Sequence, residues 1–260
     1  MPRINAPELE DYPWFPARMR DALTGYLRVA AAALSVPAVA APLLREALDA
    51  SDTRRVIDLC AGGGGPLLGV LRTLADEGER VPAVLTDLYP NRAAFARAEA
   101  LFPGQVTGRI EPTDATQVPA ELRGVRTIFN ALHHLPPPVA RAVFADAAAQ
   151  RQPIVAFEFV ERSLQGLAIS AILPASVLAL TPFVRPVDLR SLALTYVVPV
   201  LPAITWWDGT ASCLRAYSVP ELHDLVDDLA TPDYGFRIER RRVPWRPHAV
   251  TYVVGLPRTS

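Results

Sequence analysis

The stretch that decides the fold is "VIDLCAGGGGP", residues 56–66, in which an apolar run ends in an acid and four consecutive glycines follow. A short apolar run bounded by glycine is typical of a buried strand. Glycine adopts positive φ readily and has no Cβ to hold a ligand away from the backbone, which suits a strand-to-helix turn under a nucleotide-like cofactor. Pro66 fits the first turn of the following helix. The stretch therefore predicts a cofactor loop at Gly62 and Gly64, with a tight glycine-rich turn as the simpler alternative.

Short β-prone runs alternate with helical segments along the chain from Arg55 to Glu158. This alternation predicts an α/β fold in which parallel strands are joined by helices. Ligands of such sheets bind at the carboxyl ends of the strands, so the residues that end the strands are the candidates for function. These residues are Asp58, Asp87, Asp114, Asn130 and Glu158.

The net charge and the lysine and cysteine content exclude several classes of function. A formal net charge of -1 over 260 residues gives no global attraction for nucleic acid. The chain has no lysine, which excludes a lysine nucleophile and the Gly-Lys-Ser/Thr turn of a phosphate-binding P-loop. Its two cysteines, Cys60 and Cys213, are too few for a disulfide framework, and the first residues do not resemble a signal peptide. We therefore expect a cytoplasmic protein. No metal site is predicted, because the histidines and acids show no recognised ligand spacing.

Helix formers, breakers and charges divide the chain into four segments. Residues 1–50 are predicted as an N-terminal helical cap or lid, and residues 51–162 as the cofactor-binding core. Residues 163–217 are predicted as an apolar helical insertion, and residues 218–260 as a helix and a β-hairpin that complete the core.

The C-terminal segment has two local signals. Ser218 and Glu221 have the spacing of a capping box, which predicts the start of a surface helix. Residues 234–257 then resemble two strands joined by a turn rich in proline and arginine at residues 244–247. An antiparallel hairpin at the end of the sheet is expected.

The insertion begins with an uncharged run, residues 163–184. Its length would permit a bilayer span, which needs about 20 apolar residues, but Pro174 and Pro182 argue against one uninterrupted helix. Three interpretations stay open: a buried or lid-forming helical element, a peripheral membrane contact through residues 163–207, and a spanning hairpin.

The glycine loop does not fit the dinucleotide pattern G-x-G-x-x-G, because after Gly62 and Gly64 the third position is Leu67. The acid and the spaced glycines, Asp58, Gly62 and Gly64, instead resemble the first strand and loop of the class I S-adenosylmethionine-dependent methyltransferases. The chain departs at Cys60, where that family most often has glycine. The resemblance implies a Rossmann-like sheet with an antiparallel C-terminal hairpin.

The resemblance also implies S-adenosylmethionine as the cofactor and a role for several residues. Asp87 would accept hydrogen bonds from the ribose hydroxyls, Leu88 would pack on the adenine, and Asp114 would accept from the adenine amino group. Asn130 would face the methionine portion. The full set of expected cofactor contacts is Asp58, Cys60, Ala61, Gly62, Gly64, Asp87, Leu88, Asp114, Ala115 and Asn130.

Three residues are candidates for catalysis. Methyl transfer to a hydroxyl group requires removal of its proton, and His133 or His134 is the natural base because imidazole titrates near neutral pH. Glu158, at the end of an apolar strand, is a further candidate. A structural histidine bonded to a backbone carbonyl and a glutamate paired with an arginine remain open as alternatives.

The predicted activity is methyl transfer, to oxygen or carbon, on a lipophilic small molecule covered by the insertion. The alternative is a protein that binds S-adenosylmethionine without transferring a methyl group, either a non-methylating enzyme or a membrane-associated binding module. No nucleic-acid partner is expected, and the sequence leaves the oligomeric state open. The candidate substrate contacts are Tyr196, Trp206, Trp207, Asp208, Arg215 and Tyr217.

Overall fold

A seven-stranded sheet forms the centre of the molecule in the computed structural model, which describes residues 1–12, 14–185, 187–243 and 248–258. The strands are β1 (Val56–Asp58), β2 (Ala83–Leu85), β3 (Val106–Gly108), β4 (Val125–Phe129), β5 (Ile154–Glu158), β6 (Tyr234–Arg242) and β7 (Ala249–Pro257). The helices are α1 (Ala17–Ala33), α2 (Val36–Asp49), α3 (Gly65–Asp76), α4 (Arg92–Leu101), α5 (Pro137–Ala149), α6 (Leu164–Ser170), α7 (Leu173–Leu180), α8 (Leu189–Tyr196), α9 (Val200–Arg215) and α10 (Val219–Val226).

The strand order is β3-β2-β1-β4-β5-β7-β6. Strands β1 to β5 run parallel, whereas β7 pairs antiparallel with both β5 and β6. The order reverses between β1 and β4, and a doubly wound sheet binds its ligands at such a point. The expected α/β fold with a reversed C-terminal hairpin is confirmed, while the predicted turn at residues 244–247 lies outside the described residues.

Helices cover both faces of the sheet. Helices α2, α3 and α4 pack on one face, and α5 and α10 pack on the other. Part of the segment predicted as a cap, α2, is thus a core helix, because its apolar side chains from Val39 to Leu48 are buried against the sheet. The capping box of Ser218 and Glu221 at the start of α10 is confirmed.

A third layer joins the N-terminal helix to the insertion. Phe15 and the α1 residues Leu23 and Tyr26 share one buried cluster with Val177 of α7 and Leu201 of α9. Insertion helices and α1 therefore fold as one apolar layer. Among the described residues, no single helix is long and apolar enough to cross a membrane. Three helix pairs, each bent by more than 40° at a short break, meet the criteria of length and composition alone: 17–33 with 36–49, 164–170 with 173–183, and 189–196 with 200–215.

The packing of this layer predicts how the chain unfolds. Leu201 is 3% exposed and Leu189 is 78% exposed. Leu201→Ala leaves a cavity between α1 and α9, so we expect the free energy of unfolding in urea to fall by about 2–3 kcal/mol. Leu189→Ala is the matched control and should change it by less than about 0.5 kcal/mol. Equal values for the two variants would contradict a layer that unfolds together with the sheet.

Candidate active site

The loop after β1 contains three residues with left-handed backbone. Gly62 has φ 54° and Gly64 has φ 74°, which explains two of the four glycines. Cys60 also has φ 54°, a conformation that L side chains rarely adopt, and here the chain keeps cysteine where the resembling family most often has glycine. A Cβ built on Gly62 meets nothing within 4 Å. The backbone at Gly62 is therefore open to a ligand.

Asp58 lies beneath this loop and is 2% exposed. Its Oδ1 accepts a hydrogen bond from the Thr127 hydroxyl of β4 at 2.6 Å. Burial raises the pKa of Asp58 to about 7, and the charge of Asp87 acts in the same direction, while the Thr127 bond opposes it. The carboxyl group is therefore a buried acid at the switch point of the sheet.

Asp87 joins the ends of β1 and β2. Its Oδ2 accepts from the Gly62 N–H at 2.9 Å, and its Oδ1 accepts from the Tyr89 N–H at 2.9 Å. Leu88 and Tyr89 beside it are 46% and 84% exposed. Strand β2 ends at Leu85, so Asp87 lies just beyond the strand that it was predicted to end. A fixed carboxylate beside the glycine loop can accept from ligand hydroxyls through its remaining lone pairs.

Asp114 and Ala115 lie on the next loop, beyond the end of β3. The N–H of Thr113 donates to the Asp87 carbonyl at 2.8 Å and holds this loop against β2. Oδ1 of Asp114 accepts from the N–H and hydroxyl of Thr116, and Ala115 is buried. The structure thus brings Asp114 to the same edge of the sheet as Asp87, with one carboxylate oxygen in a local turn.

Ala61, Cys60 and Asn130 complete the predicted cofactor contacts. The Ala61 N–H donates to the Thr86 carbonyl at 3.0 Å. Burial raises the pKa of the Cys60 thiol to about 12, so it stays protonated at neutral pH. Asn130 has φ 51°, and its Oδ1 accepts from the Phe159 N–H at 3.1 Å. This side chain fixes the carboxyl ends of β4 and β5 to each other.

The two histidines lie in a short 3-10 turn after β4, and each is held by a carboxylate. His133 is 1% exposed, and its Nδ1 lies 2.6 Å from Oε2 of Glu158. Oε1 of Glu158 accepts from the Leu132 N–H at 2.8 Å. Nδ1 of His134 lies 2.8 Å from Oδ1 of Asp11. The structure thereby brings together all three residues predicted as catalytic, and both imidazoles are oriented through Nδ1.

A glutamate from the N-terminal segment covers these histidines. Glu8 is 1% exposed, and its carboxylate oxygens lie 3.6 Å from Nε2 of His133 and 3.7 Å from Nε2 of His134. Burial raises the pKa of Glu8 to about 7, against the opposing charges of His134 and Arg215. Sequence reasoning missed Glu8 and Asp11, because no local pattern near them indicates a contact with a turn so distant in the chain.

The six predicted substrate contacts separate into two groups. Asp208, Arg215 and Tyr217 are buried near the histidine turn: Asp208 accepts from the Leu9 N–H, Arg215 donates to the His134 carbonyl and Tyr217 donates to the Leu135 carbonyl. Tyr196, Trp206 and Trp207 are 44–49% exposed on α8 and α9. Trp207 donates through Nε1 to the Pro7 carbonyl at 2.9 Å.

A cavity of about 300 Å³ lies between α1, α4 and the insertion. It adjoins the glycine loop through Gly63 and Gly65, and its walls include the buried side chains of Leu23, Val177 and Leu201. The six predicted substrate contacts and the histidine turn are absent from its lining.

No protein-family model and no curated protein matches this sequence. Solved structures do match. An O-methyltransferase family protein from Burkholderia thailandensis aligns with 97% of this chain and 63% of its own at a TM-score of 0.55 and 18% identity. This chain has the class I methyltransferase fold. Magnesium protoporphyrin IX methyltransferase from Synechocystis PCC 6803, solved with bound SAH, aligns with 89% of this chain and 86% of its own at a TM-score of 0.50 and 11% identity.

The chain spans somewhat less than two thirds of the length of the Burkholderia protein. At these identities the likeness establishes the methyltransferase fold, including the reversed strand β7.

The raised pKa of Asp58 makes the stability of the fold depend on pH. Its pKa is about 7 in the folded chain against an ordinary value of 3.8. The folded state therefore binds more protons than the unfolded state in this interval, and stability falls as pH rises through it. Asp58→Asn lacks this group. We expect its free energy of unfolding, relative to the parent chain, to rise by about 2–4 kcal/mol from pH 4 to pH 8. A difference that is constant with pH, measured by urea unfolding, would contradict this assignment.

Proposed function

We propose that the protein is an S-adenosylmethionine-dependent methyltransferase that acts on a lipophilic small molecule. The observation that supports this most is the Asp87 carboxylate bonded to the Gly62 N–H, at the switch point of a sheet with the class I methyltransferase fold. The Synechocystis protein with the same fold was solved with bound SAH, the product form of this cofactor, which also favours the proposal.

The residues at this edge of the sheet fit the cofactor. Gly62 leaves open space where a side chain would block it, and Asp87 is held rigidly with lone pairs free for two ribose hydroxyls. Exposed Leu88 offers an apolar surface for an adenine ring, and Asp114 and Ala115 lie on the adjoining loop. Cys60, Ala61, Gly64 and Asp58 would shape the loop beneath the cofactor, and Asn130 would close the site at the end of β4.

The chain's own residues mainly orient the reacting groups and exclude water. When bound, S-adenosylmethionine supplies an electrophilic methyl group on a positively charged sulfur. Transfer to an acceptor is an in-line displacement, which requires the reacting atoms to be about 3 Å apart and water to be kept away. The loop at Gly62 and the Asn130 bond between β4 and β5 fix one side of this geometry. The layer of α1 and α7–α9 would cover the acceptor and exclude solvent from it.

We place the acceptor at the carboxyl ends of β4 and β5, where His133, His134 and Glu158 lie. Glu158 and Asp11 hold the two imidazoles through Nδ1, so that each Nε2 is directed to the same point. These side chains would hold and polarise an acceptor oxygen. Asp208, Arg215 and Tyr217 would line the same region, and Tyr196, Trp206 and Trp207 its outer, apolar side.

The apolar insertion supports a lipophilic acceptor and a peripheral contact with lipid by an otherwise cytoplasmic protein. Side chains of the insertion that expose more than half of their surface include Leu164, Phe183, Leu189, Val197 and Val198. Surfaces of this kind bind at the boundary between lipid headgroups and acyl chains. Contact through residues 163–207 would bring a lipophilic acceptor directly to the layer that covers the site.

Asp87→Ala tests the cofactor. We expect the parent chain to bind S-adenosylmethionine and S-adenosylhomocysteine with micromolar affinity by calorimetric titration, and Asp87→Ala to weaken both at least tenfold, because two hydrogen bonds to a charged group are lost. Asp76→Ala, an exposed acid of α3, is the matched control and should bind as the parent does. Binding of NAD in place of both ligands would overturn the proposal. Binding without methyl transfer to any acceptor of a lipid extract would favour the non-methylating alternative.

The membrane contact is tested by co-sedimentation with phosphatidylcholine vesicles. Val197 and Val198 are 78% and 57% exposed, so glutamate at both positions leaves the core intact and charges the contact surface. We expect the double variant to sediment several-fold less than the parent chain. Leu101→Glu, at a residue 52% exposed at the end of α4, should sediment normally. Equal sedimentation of all three proteins would refute a lipid contact through this surface.

A further inference from the structure

Three side chains from two separate parts of the chain meet at one buried point. Glu8 comes from the N-terminal segment, and His133 and His134 come from the turn after β4. One ligand atom of each lies within 4.8 Å of the others: a carboxylate oxygen and two imidazole nitrogens. Nothing in the methyl-transfer scheme requires a buried carboxylate to face both histidines.

The distances do not correspond to hydrogen bonds. The carboxylate oxygens of Glu8 lie 3.6 Å and 3.7 Å from the two Nε2 atoms, beyond the range of N–H···O bonds. Zinc binds imidazole nitrogen and carboxylate oxygen at about 2.0–2.2 Å, and two ligands of a tetrahedral ion are then about 3.4 Å apart. The observed separations are close to those of atoms that share one such ion.

The opposite side of each imidazole is already occupied. Nδ1 of His133 is bonded to Glu158 and Nδ1 of His134 to Asp11. With the proton on Nδ1, each Nε2 presents a lone pair toward Glu8. A histidine that binds a metal through one nitrogen almost always donates its other N–H to a carboxylate, carbonyl or water, which fixes the ring and raises its basicity. Both histidines have this arrangement.

Two of the atoms that would bind the ion make no hydrogen bond in the described part of the chain. Nε2 of His133 and Oε1 of Glu8 are buried and lack a hydrogen bond, although each residue is only 1% exposed. A buried polar atom that makes no hydrogen bond destabilises the folded state. A shared cation satisfies both atoms at once.

The local charge also favours a cation. Glu8, Asp11 and Glu158 contribute three carboxylates around the two imidazoles. Arg215 supplies one positive charge, with Nη1 2.6 Å from Asp11 and 3.3 Å from Glu8, and Arg3, which donates to the His133 carbonyl, supplies a second. The guanidinium is oriented mainly toward Asp11 and the carbonyls of the histidine turn. The carboxylates outnumber the guanidinium groups at this point, which favours the binding of a cation.

We propose that Glu8, His133 and His134 bind a divalent transition-metal ion of the zinc type, with Glu158 and Asp11 as the groups that orient the imidazoles. Three protein ligands leave a fourth position open, as in sites that bind a substrate. An acceptor hydroxyl or phenol oxygen would occupy this position, a step that rests on the proposed function. The ion also fastens the N-terminal segment to the turn after β4.

Metal titration of the full, tag-free chain tests the site. After treatment with a chelator, we expect the parent chain to bind one equivalent of Zn²⁺ by calorimetry and elemental analysis, and Co²⁺ to give the visible absorption of a tetrahedral site. Glu8→Gln keeps the shape of the side chain and removes its charge, so it should weaken Zn²⁺ binding at least tenfold. Glu10→Gln, a neighbouring acid outside the cluster, is the matched control and should bind as the parent does. Asp11→Asn should weaken binding about tenfold through the orientation of His134.

Each outcome decides the proposal. Absence of stoichiometric binding by the parent chain, or equal binding by Glu8→Gln and Glu10→Gln, would overturn it. The Co²⁺ spectrum of the parent chain is independent of whether Glu8→Gln folds, and circular dichroism checks that variant. Titration with the cofactor is a separate experiment. Binding of Zn²⁺ without S-adenosylmethionine would contradict the proposed function alone, and binding of S-adenosylmethionine without Zn²⁺ would contradict the metal site alone.

Discussion

The hydrogen bond from the Gly62 N–H to the Asp87 carboxylate is the interaction on which the rest of the site depends. It joins the loop after β1 to the end of β2. The Thr113 N–H, on the loop after β3, donates to the Asp87 carbonyl and joins this third loop to the other two. The bond requires Gly62 at φ 54°, a conformation that glycine adopts without strain. Three loops are thereby fixed at the edge where a parallel sheet binds its ligands.

The opposite end of the site is formed by segments that lie far apart in the sequence. Arg3 donates to the carbonyls of His133 and Arg215, and Arg215 in turn donates to Asp11 and to the histidine turn. These bonds hold the N-terminal segment between α9 and the end of β4. The segment is therefore a wall of the site, and its removal would expose both histidines to solvent.

Much of the fold could be predicted from the sequence, because its signals are local. The glycines, the acids Asp58 and Asp87 that follow apolar runs, and the capping box of Ser218 can each be recognised within a few residues of sequence. Asp87 lies beyond the end of β2. The last bond between β1 and β2 is donated by the Thr86 N–H to the Asp58 carbonyl, and the chain turns after it. Glu8 and Asp11 were not found, since their contacts form only when the N-terminal segment packs on the histidine turn. Thr127 was not found because its partner Asp58 lies on a paired strand that is distant in the chain. The place of α2 in the core is of the same kind, because its apolar face suits a cap and a core equally.

The measurement that tests the account most directly is a crystal structure of the full chain with S-adenosylhomocysteine bound. The account predicts both ribose hydroxyls within hydrogen-bond distance of the Asp87 carboxylate, the adenine beside Leu88, and the sulfur directed toward the end of β4. A ligand seated instead in the cavity between α1 and α4, with Asp87 still bonded only to the backbone, would contradict it.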